Sequence, residues 1–416
     1  MKQRFVTLLF ALVCLVTGAT AHAEIPVTGS ALPGLEAFDQ AVLSLLERWN
    51  IPGASLAVVK DGRLLLARGY GYADLGRNVP VTPDLRFRFA SLSKSLTAAA
   101  IMRLVEDKRI SLDDSALRLL GDWAPPPDQI TDRRVYEITV RHLLTHRGGW
   151  NREISGDPIF DSRAYLNDHD CRGVMHAELT RQLDFTPGTS FAYSNTGYCI
   201  LGRIIERVSG LPYADYVKRY VLAPAGVTGM TTTSRSIFPD DEPIYYQTPG
   251  SVVSPYGGIA LDAIDSLAGW IGRPVDYLRY FVALSGCCGR AILRPQSIAE
   301  MTAAPAAPKR TASAVGNWYG LGVRVQARSG GLDVWHHGSM PGTQAEVVLS
   351  REGFGWVIAF NARPMDASAF SDDIDATLWT AARRTSTWPE GGLTDEAAQR
   401  RPNPDQASAI SATALN

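Results

Sequence analysis

Apolar residues recur every three or four positions at Leu35, Phe38, Val42, Leu45, Leu46 and Trp49, which predicts an amphipathic helix over Leu35–Trp49. Ile51-Pro52-Gly53 ends it. Ala54–Lys60 and Arg63–Tyr70 then read as strands, and Asp61-Gly62 between them is a two-residue hairpin signal. Leu92–Leu104 carries strong helix formers without Gly or Pro, so a helix starts close to Ser91. From there to about residue 300 helical stretches (Val140–Thr145, Gly197–Val208, Tyr213–Tyr220) alternate with long loops rich in Gly, Pro and Asp. Strand character returns at Tyr319–Ala327, Leu332–His336, Ala345–Ser350 and Gly355–Phe360, and Asp366–Arg383 reads as a closing helix. No internal repeat is visible.

This pattern predicts an α+β protein. Early and late strands join in one antiparallel sheet flanked by helices, a lobe drawn from about 35–90 and 315–384. A mainly helical lobe is inserted at about 100–310, and a site is expected in the cleft between the lobes. The catalytic unit is taken as 24–384, and the polar, Pro-containing residues 385–416 as a disordered tail.

The N-terminus changes the compartment. Lys2 and Arg4 precede an apolar run from Phe5 to Val16, and Ala21-His22-Ala23 has the small-x-small form of a signal-peptidase site. Residues 1–23 are read as a cleaved signal peptide, with a secreted or periplasmic mature chain starting at Glu24. The run is too short for stable membrane insertion. Without it, 39 basic and 42 acidic side chains remain of 41 and 42, a formal charge of −3, which argues against a nucleic-acid partner. Cys171, Cys199, Cys287 and Cys288 have no metal-motif spacing, and export permits disulfides, with the connectivity left open.

Three short segments carry candidate chemistry. Ser91 and Lys94 stand three apart at a helix start and so share a face. A neutral Lys could take the proton of a serine nucleophile, and burial and the helix dipole both favour the neutral form. Tyr193-Ser194-Asn195 follows a Pro187-Gly188 turn, and offers a phenol for proton transfer and an amide able to hold a carbonyl or a lysine. His336-His337-Gly338-Ser339 ends a strand, and Gly338 permits close backbone approach. Each segment alone also fits a structural part: a cap at Ser91, a buried Tyr193, a histidine pair in a turn. His142 and His146, four apart on a helix, have metal-ligand spacing but lack a third ligand, so no metal and no cofactor is assigned.

Taken together, the segments resemble the penicillin-binding, beta-lactamase-related serine hydrolases, a family that includes D-Ala-D-Ala carboxypeptidases, D-aminopeptidases and esterases. Phe87-Arg88-Phe89-Ala90-Ser91-Leu92-Ser93-Lys94 is similar to the nucleophile motif, and His142-Leu143-Leu144-Thr145-His146 with Gly148-Gly149 to another family segment. Tyr193-Ser194-Asn195-x-Gly197-Tyr198 is similar to the second motif, and His336-x-Gly338-Ser339-Met340-Pro341-Gly342 to the third. The resemblance covers about residues 35 to 380 and implies a beta-lactamase/transpeptidase-like fold. It implies that Ser91 is acylated, that Lys94 and Tyr193 share the base and acid roles, and that Asn195 contacts the substrate amide. His336, Gly338 and Ser339 would line the substrate, with the backbone N–H groups of Ser91 and Ser339 forming the oxyanion hole. His142 and His146 become structural.

One departure bears on the substrate. The third motif opens with His336 where many members carry Lys, so a fixed cation is replaced by a side chain mostly neutral near pH 7. That weighs against efficient beta-lactam cleavage and toward amide or peptide bonds; the expected partner is a small-molecule or peptide substrate, with carboxylesterase, beta-lactamase and a non-catalytic penicillin-binding-like sensor as the alternatives.

Overall fold

A computed structural model describes residues 24–160, 170–233, 240–251, 253–257, 260–305 and 316–394. The proposed leader, 1–23, and residues 395–416 lie outside the described residues.

Helix α1 (Glu36–Trp49) forms on the predicted stripe, burying Phe38, Val42, Leu45 and Leu46 and ending on Asn50 in the left-handed conformation. The strand β1 (Val27–Ala31) ahead of it has no alternation strong enough to be read from sequence, and the structure adds it by pairing with β3. β2 (Gly53–Lys60) and β3 (Arg63–Asp74) are joined as expected, with Asp61 at φ 50° and Gly62 at φ 75°, the two positive values that a type I′ turn requires. Short strands β4 (Val79–Pro80) and β5 (Phe87–Arg88) lead to the Ser91 segment, and β7 (Trp270–Gly272) pairs with both β5 and β6 (Thr231–Thr232) in a small separate sheet.

The late strands are β8 (Asn317–Tyr319), β9 (Arg324–Arg328), β10 (Gly331–Met340), β11 (Thr343–Leu349) and β12 (Phe354–Phe360). The single strand expected over Tyr319–Ala327 is therefore two. Gly320 and Gly322 lie between them, and Gly322 at φ 79° packs where a Cβ would meet Ala98 at 2.3 Å. The main sheet runs β1-β3-β2-β12-β11-β10-β9-β8, antiparallel throughout, with β4 on β3. Early and late strands meet where β2 pairs with β12, Val357 opposite Ala57.

The alternation of each strand divides the core in two. Trp356, Ile358 and Phe360 face α1 and the closing helix α12 (Ala367–Arg384), together with Leu56, Val58 and Leu66. Val357 and Ala359 face the opposite way with Ala57, Ala67, Ala345 and Val347. Four of these six are alanines, so the helices of the inserted lobe approach this face closely. They are α2 (Ser93–Glu106), α3 (Ala116–Leu120), α4 (Val140–Leu144), α5 (Arg152–Ser155), α6 (Arg172–Thr180), α7 (Asn195–Ser209), α8 (Tyr213–Val217), α9 (Asp265–Ala268), α10 (Pro274–Ser285) and α11 (Pro295–Thr302). A disulfide joins Cys171, at the start of α6, to Cys199 on α7, while Cys287 and Cys288 are free thiols.

The segment after residue 385, expected to leave the body of the protein, does not do so as far as Thr394. Trp388 stacks on Phe354 at 5.3 Å and meets Phe38 at 6.1 Å, and the Leu393 N–H donates to the Leu64 carbonyl. Its one large apolar ring outweighs the polar composition around it. Among the described residues no helix is long and apolar enough to cross a membrane.

Phe370 locks α12 to both neighbours: its ring lies 5.2 Å from Trp49 of α1 and 5.0 Å from Phe360 of β12, and it is fully buried. Phe370→Ala should lower stability by about 3–5 kcal/mol. The check is a shift in urea midpoint at unchanged m-value; a loss below about 1 kcal/mol would show that the α1–α12 layer is not held there.

Candidate active site

Ser91 lies in a 3-10 turn, Ala90–Leu92, between β5 and α2. Ala90 sits at φ 48°, a left-handed conformation that costs a non-glycine residue about 1–2 kcal/mol. Its surroundings fix it there. The Phe89 N–H donates to the Trp270 carbonyl (3.0 Å), and the Leu92 carbonyl accepts from the hydroxyls of Ser95 (3.0 Å) and Tyr277 (2.8 Å). The reversal lets the chain pass from strand to helix within one residue, so Ser91 stands at the helix start, where backbone N–H groups favour developing negative charge.

Lys94 is fully buried one turn later. Its Nζ donates to Asn195 Oδ1 at 2.8 Å and to the Leu267 carbonyl at 2.8 Å, with Ser91 Oγ at 3.3 Å. The first two are pure acceptors, so they claim two hydrogens in either protonation state. What remains toward Ser91 is an N–H in the ammonium and a lone pair in the amine. Burial pushes the Lys94 pKa below its ordinary value, with Arg152 adding to that shift and Tyr193 and Asp157 opposing it. The arrangement can therefore accept the hydroxyl proton of Ser91.

Tyr193 and Asn195 enter from the start of α7. Ser194 caps that helix, its Oγ accepting from the Gly197 N–H at 3.4 Å. The Tyr193 ring lies 5.0 Å from Lys94 Nζ. It packs 4.2 Å from the ring of His146, whose Nδ1 accepts from the Ser194 N–H at 3.1 Å. With Nδ1 as acceptor the hydrogen is on Nε2, and burial, then Lys94 and Arg324, hold this imidazole neutral far below the usual histidine range. His146 thus fixes the segment that carries Tyr193 and Asn195. His142 instead accepts from the Thr139 N–H at 3.3 Å and completes a cap on α4.

The third segment lies on β10. Gly338 is pressed against the Ser91 turn: a Cβ there would stand 2.1 Å from the Phe89 carbonyl oxygen and 3.0 Å from the Ser91 nitrogen. The absence of a side chain brings the backbone of β10 alongside Ser91. His336 is buried with both ring nitrogens occupied. Nδ1 lies 2.6 Å from the His337 carbonyl and so carries the hydrogen, which leaves Nε2 to accept from the Tyr319 hydroxyl at 2.9 Å. Burial, then Arg324, keeps the ring neutral. The Ser339 side chain lines a cavity of about 490 Å³ with His337, Trp335, Arg152 and residues of α12, so its backbone is the part available beside Ser91.

The structure thus brings Ser91, Lys94, Tyr193, Asn195, His336, Gly338 and Ser339 to one junction between the lobes. Three further residues join it that no motif revealed. Asp157 accepts from Asn195 Nδ2 at 2.8 Å, Tyr319 holds His336, and the Leu267 carbonyl holds Lys94. Asp157 lies in a loop after α5, outside the three motifs, and Leu267 acts through its backbone, which leaves no mark on side-chain type. Trp150, just after the Gly148-Gly149 pair, is buried in the core with its Nε1 donating to the Glu178 carbonyl at 3.1 Å.

Comparison with known proteins fits this geometry. A family model described as Beta-lactamase matches residues 38–378. Protein flp of Staphylococcus aureus (strain NCTC 8325 / PS 47) is 31% identical over 207 residues, 50% of this chain and 40% of that protein. A D-aminopeptidase of Gluconobacter oxydans (strain 621H) is 29% identical over 221 residues, 52% of this chain and 39% of its own. The matches therefore span well under half the length of these curated relatives. Among solved structures, the octameric penicillin-binding protein homologue from Pyrococcus abyssi aligns with a TM-score of 0.67 at 26% identity, covering 83% of this chain and 77% of that one. The D-amino acid amidase from Ochrobactrum anthropi SV3, complexed with L-phenylalanine, aligns at 0.68 and 21% identity, covering 85% and 99%, a likeness of fold. The fold is the beta-lactamase/transpeptidase type.

The contact at Gly338 is directly testable. Gly338→Ala must displace either β10 or the Ser91 turn. Labelling of Ser91 by a fluorophosphonate should fall about 100-fold, the scale of losing one oxyanion donor, while the near-UV circular dichroism stays native-like. Labelling within twofold of the parent protein would show that strand and turn do not need to touch.

Proposed function

Since the chain belongs to the Beta-lactamase family of serine hydrolases, we propose that it is a secreted peptidase or amidase working through an acyl-enzyme on Ser91. The observation that carries this reading is the direction of Lys94. Two carbonyl oxygens fix its amine so that the remaining position points at Ser91 Oγ, 3.3 Å away.

In the proposed reaction Ser91 Oγ attacks the scissile carbonyl carbon and its proton passes to the Lys94–Tyr193 pair. The carbonyl oxygen becomes an oxyanion, met by the N–H groups of Ser91 and Ser339. As the C–N bond breaks, the same pair returns the proton to the leaving amine, since an amide nitrogen leaves poorly unprotonated. Water then repeats the sequence and frees the acid. Asn195, His336 and Gly338 border the substrate in this reading.

The preference for amides draws on His336. It is neutral and internally hydrogen-bonded, so the strand lacks a fixed cation where a beta-lactam carboxylate would be gripped. The D-aminopeptidase relative points the same way. Secretion or periplasmic location is supported by the leader-like residues 1–23 and by the Cys171–Cys199 bridge, a bond favoured in oxidising compartments. The substrate is taken to be a small molecule or short peptide.

A panel of D-aminoacyl amides, D-Ala-D-Ala peptides, short linear peptides and esters tests the assignment. Turnover of at least one peptide or amide class is expected; rapid ester cleavage with no amide turnover would overturn it in favour of a carboxylesterase. The fluorophosphonate adduct should map to Ser91, disappear in Ser91→Ala and form about 100-fold more slowly in Lys94→Ala. Only the neutral amine accepts a proton, so the wild-type rate should rise with pH, with a midpoint below the ordinary lysine value of 10.5. A flat profile would remove Lys94 from the proton path.

A further inference from the structure

We infer that Asp157 is a positioning residue of the Ser91 site, whose carboxylate fixes the Asn195 amide and, through it, Lys94. The inference rests on the reading of Ser91 as an acylated nucleophile. It goes beyond that reading by giving the site a carboxylate from outside the three motifs.

The geometry is a chain of single-sense contacts. Asn195 opens α7, so its backbone is set by the helix and its Ser194 cap. Its side-chain amide can still present either end to Lys94. Only the oxygen suits an N–H donor, and the structure has Oδ1 on Lys94 Nζ at 2.8 Å and Nδ2 on Asp157 Oδ2 at 2.8 Å. A carboxylate accepts and cannot donate, so the reversed amide would set oxygen against oxygen at one end and N–H against N–H at the other. Asp157 itself is held: its Oδ1 accepts from the Ile159 N–H at 3.2 Å, and Ile159 is buried. The path from loop to nucleophile is thus Asp157, Asn195, Lys94, Ser91, each link a hydrogen bond.

Charge gives Asp157 a second effect on the same lysine. The groups facing Lys94 are the rings of Tyr193 and Tyr198, at 5.0 and 5.4 Å, the neutral imidazoles of His146 and His336, the Arg152 guanidinium, and Asp157. Asp157 is the carboxylate among them, and it favours the Lys94 ammonium while Arg152 opposes it. Asp157 in turn faces Arg152 and Glu178. Removing its charge should let Lys94 lose its proton at lower pH.

Two variants separate the effects. Asp157→Asn keeps an oxygen that can accept from Asn195 Nδ2 and loses the charge. Asp157→Ala loses both. The rate of fluorophosphonate labelling at Ser91 is measured from pH 5 to 11 for the full chain and both variants, with melting temperatures alongside. In Asp157→Asn the rising limb should move about one pH unit lower with a plateau within about threefold of wild type. In Asp157→Ala the plateau should fall about tenfold or more. A residue that only braces its loop would lower the melting temperature in both variants and leave the midpoint in place. An Asp157→Asn profile that superimposes on wild type therefore overturns the inference. Failure of the wild-type protein to label at Ser91 overturns the acyl-enzyme reading itself, and the inference with it.

Discussion

Lys94 is buried completely, and two carbonyl oxygens, from Asn195 and Leu267, hold its nitrogen at 2.8 Å. Much of the molecule is arranged around those two contacts. Asn195 comes from the start of α7 and Leu267 from α9, while Lys94 itself comes from α2, so three elements distant in sequence must converge on one nitrogen. A buried ammonium without partners would be expelled or neutralised. Here the partners are carbonyl oxygens that stabilise either form, and desolvation tilts the balance toward the amine. The same burial that strains the charged lysine favours the amine, the form able to accept a proton.

The sheet contributes through one strand with two faces. His336 and Gly338 point from β10 toward the inserted lobe, and His337 and Ser339 point toward α12. Pairing with β9 stops at Trp335, opposite Arg324, so the strand beyond it is unpaired on that edge and lies beside the Ser91 turn. The Tyr319–His336 bond occupies the imidazole Nε2, and it ties β8 to β10 across the intervening β9, beyond the point where the β9–β10 ladder ends. Neutral and engaged at both ring nitrogens, His336 braces β10 against β8.

Much of this was legible before any coordinates. The stripe from Leu35 to Trp49, the Asp61-Gly62 turn and the alternating late strands are signals of local geometry, and they carry the α+β assignment. Ser91, Lys94, Tyr193, Asn195, His336, Gly338 and Ser339 were legible because motifs keep residue type at fixed spacing. What escaped was either backbone or context. The split of β8 from β9 comes from a glycine loop packed on α2, a tertiary contact with no periodic trace. Trp388 docks through one ring in a polar stretch. Leu267 contributes a carbonyl, and Asp157 lies in a loop of ordinary polar composition. Tyr319 carries only a strand signal in the sequence, and only the fold brings its hydroxyl to His336, seventeen positions on.

Burial outweighs the charges that would keep Lys94 protonated, and so lowers its pKa from the ordinary lysine value. The most direct measurement is a titration of Lys94 itself by NMR, with carbon-13 at Cε and the signal assigned by its loss in Lys94→Arg. The account predicts a midpoint clearly below the ordinary lysine value of 10.5. A midpoint at or above 10.5 would mean that the two carbonyls hold an ammonium ion, and that Ser91 must be activated by some other group.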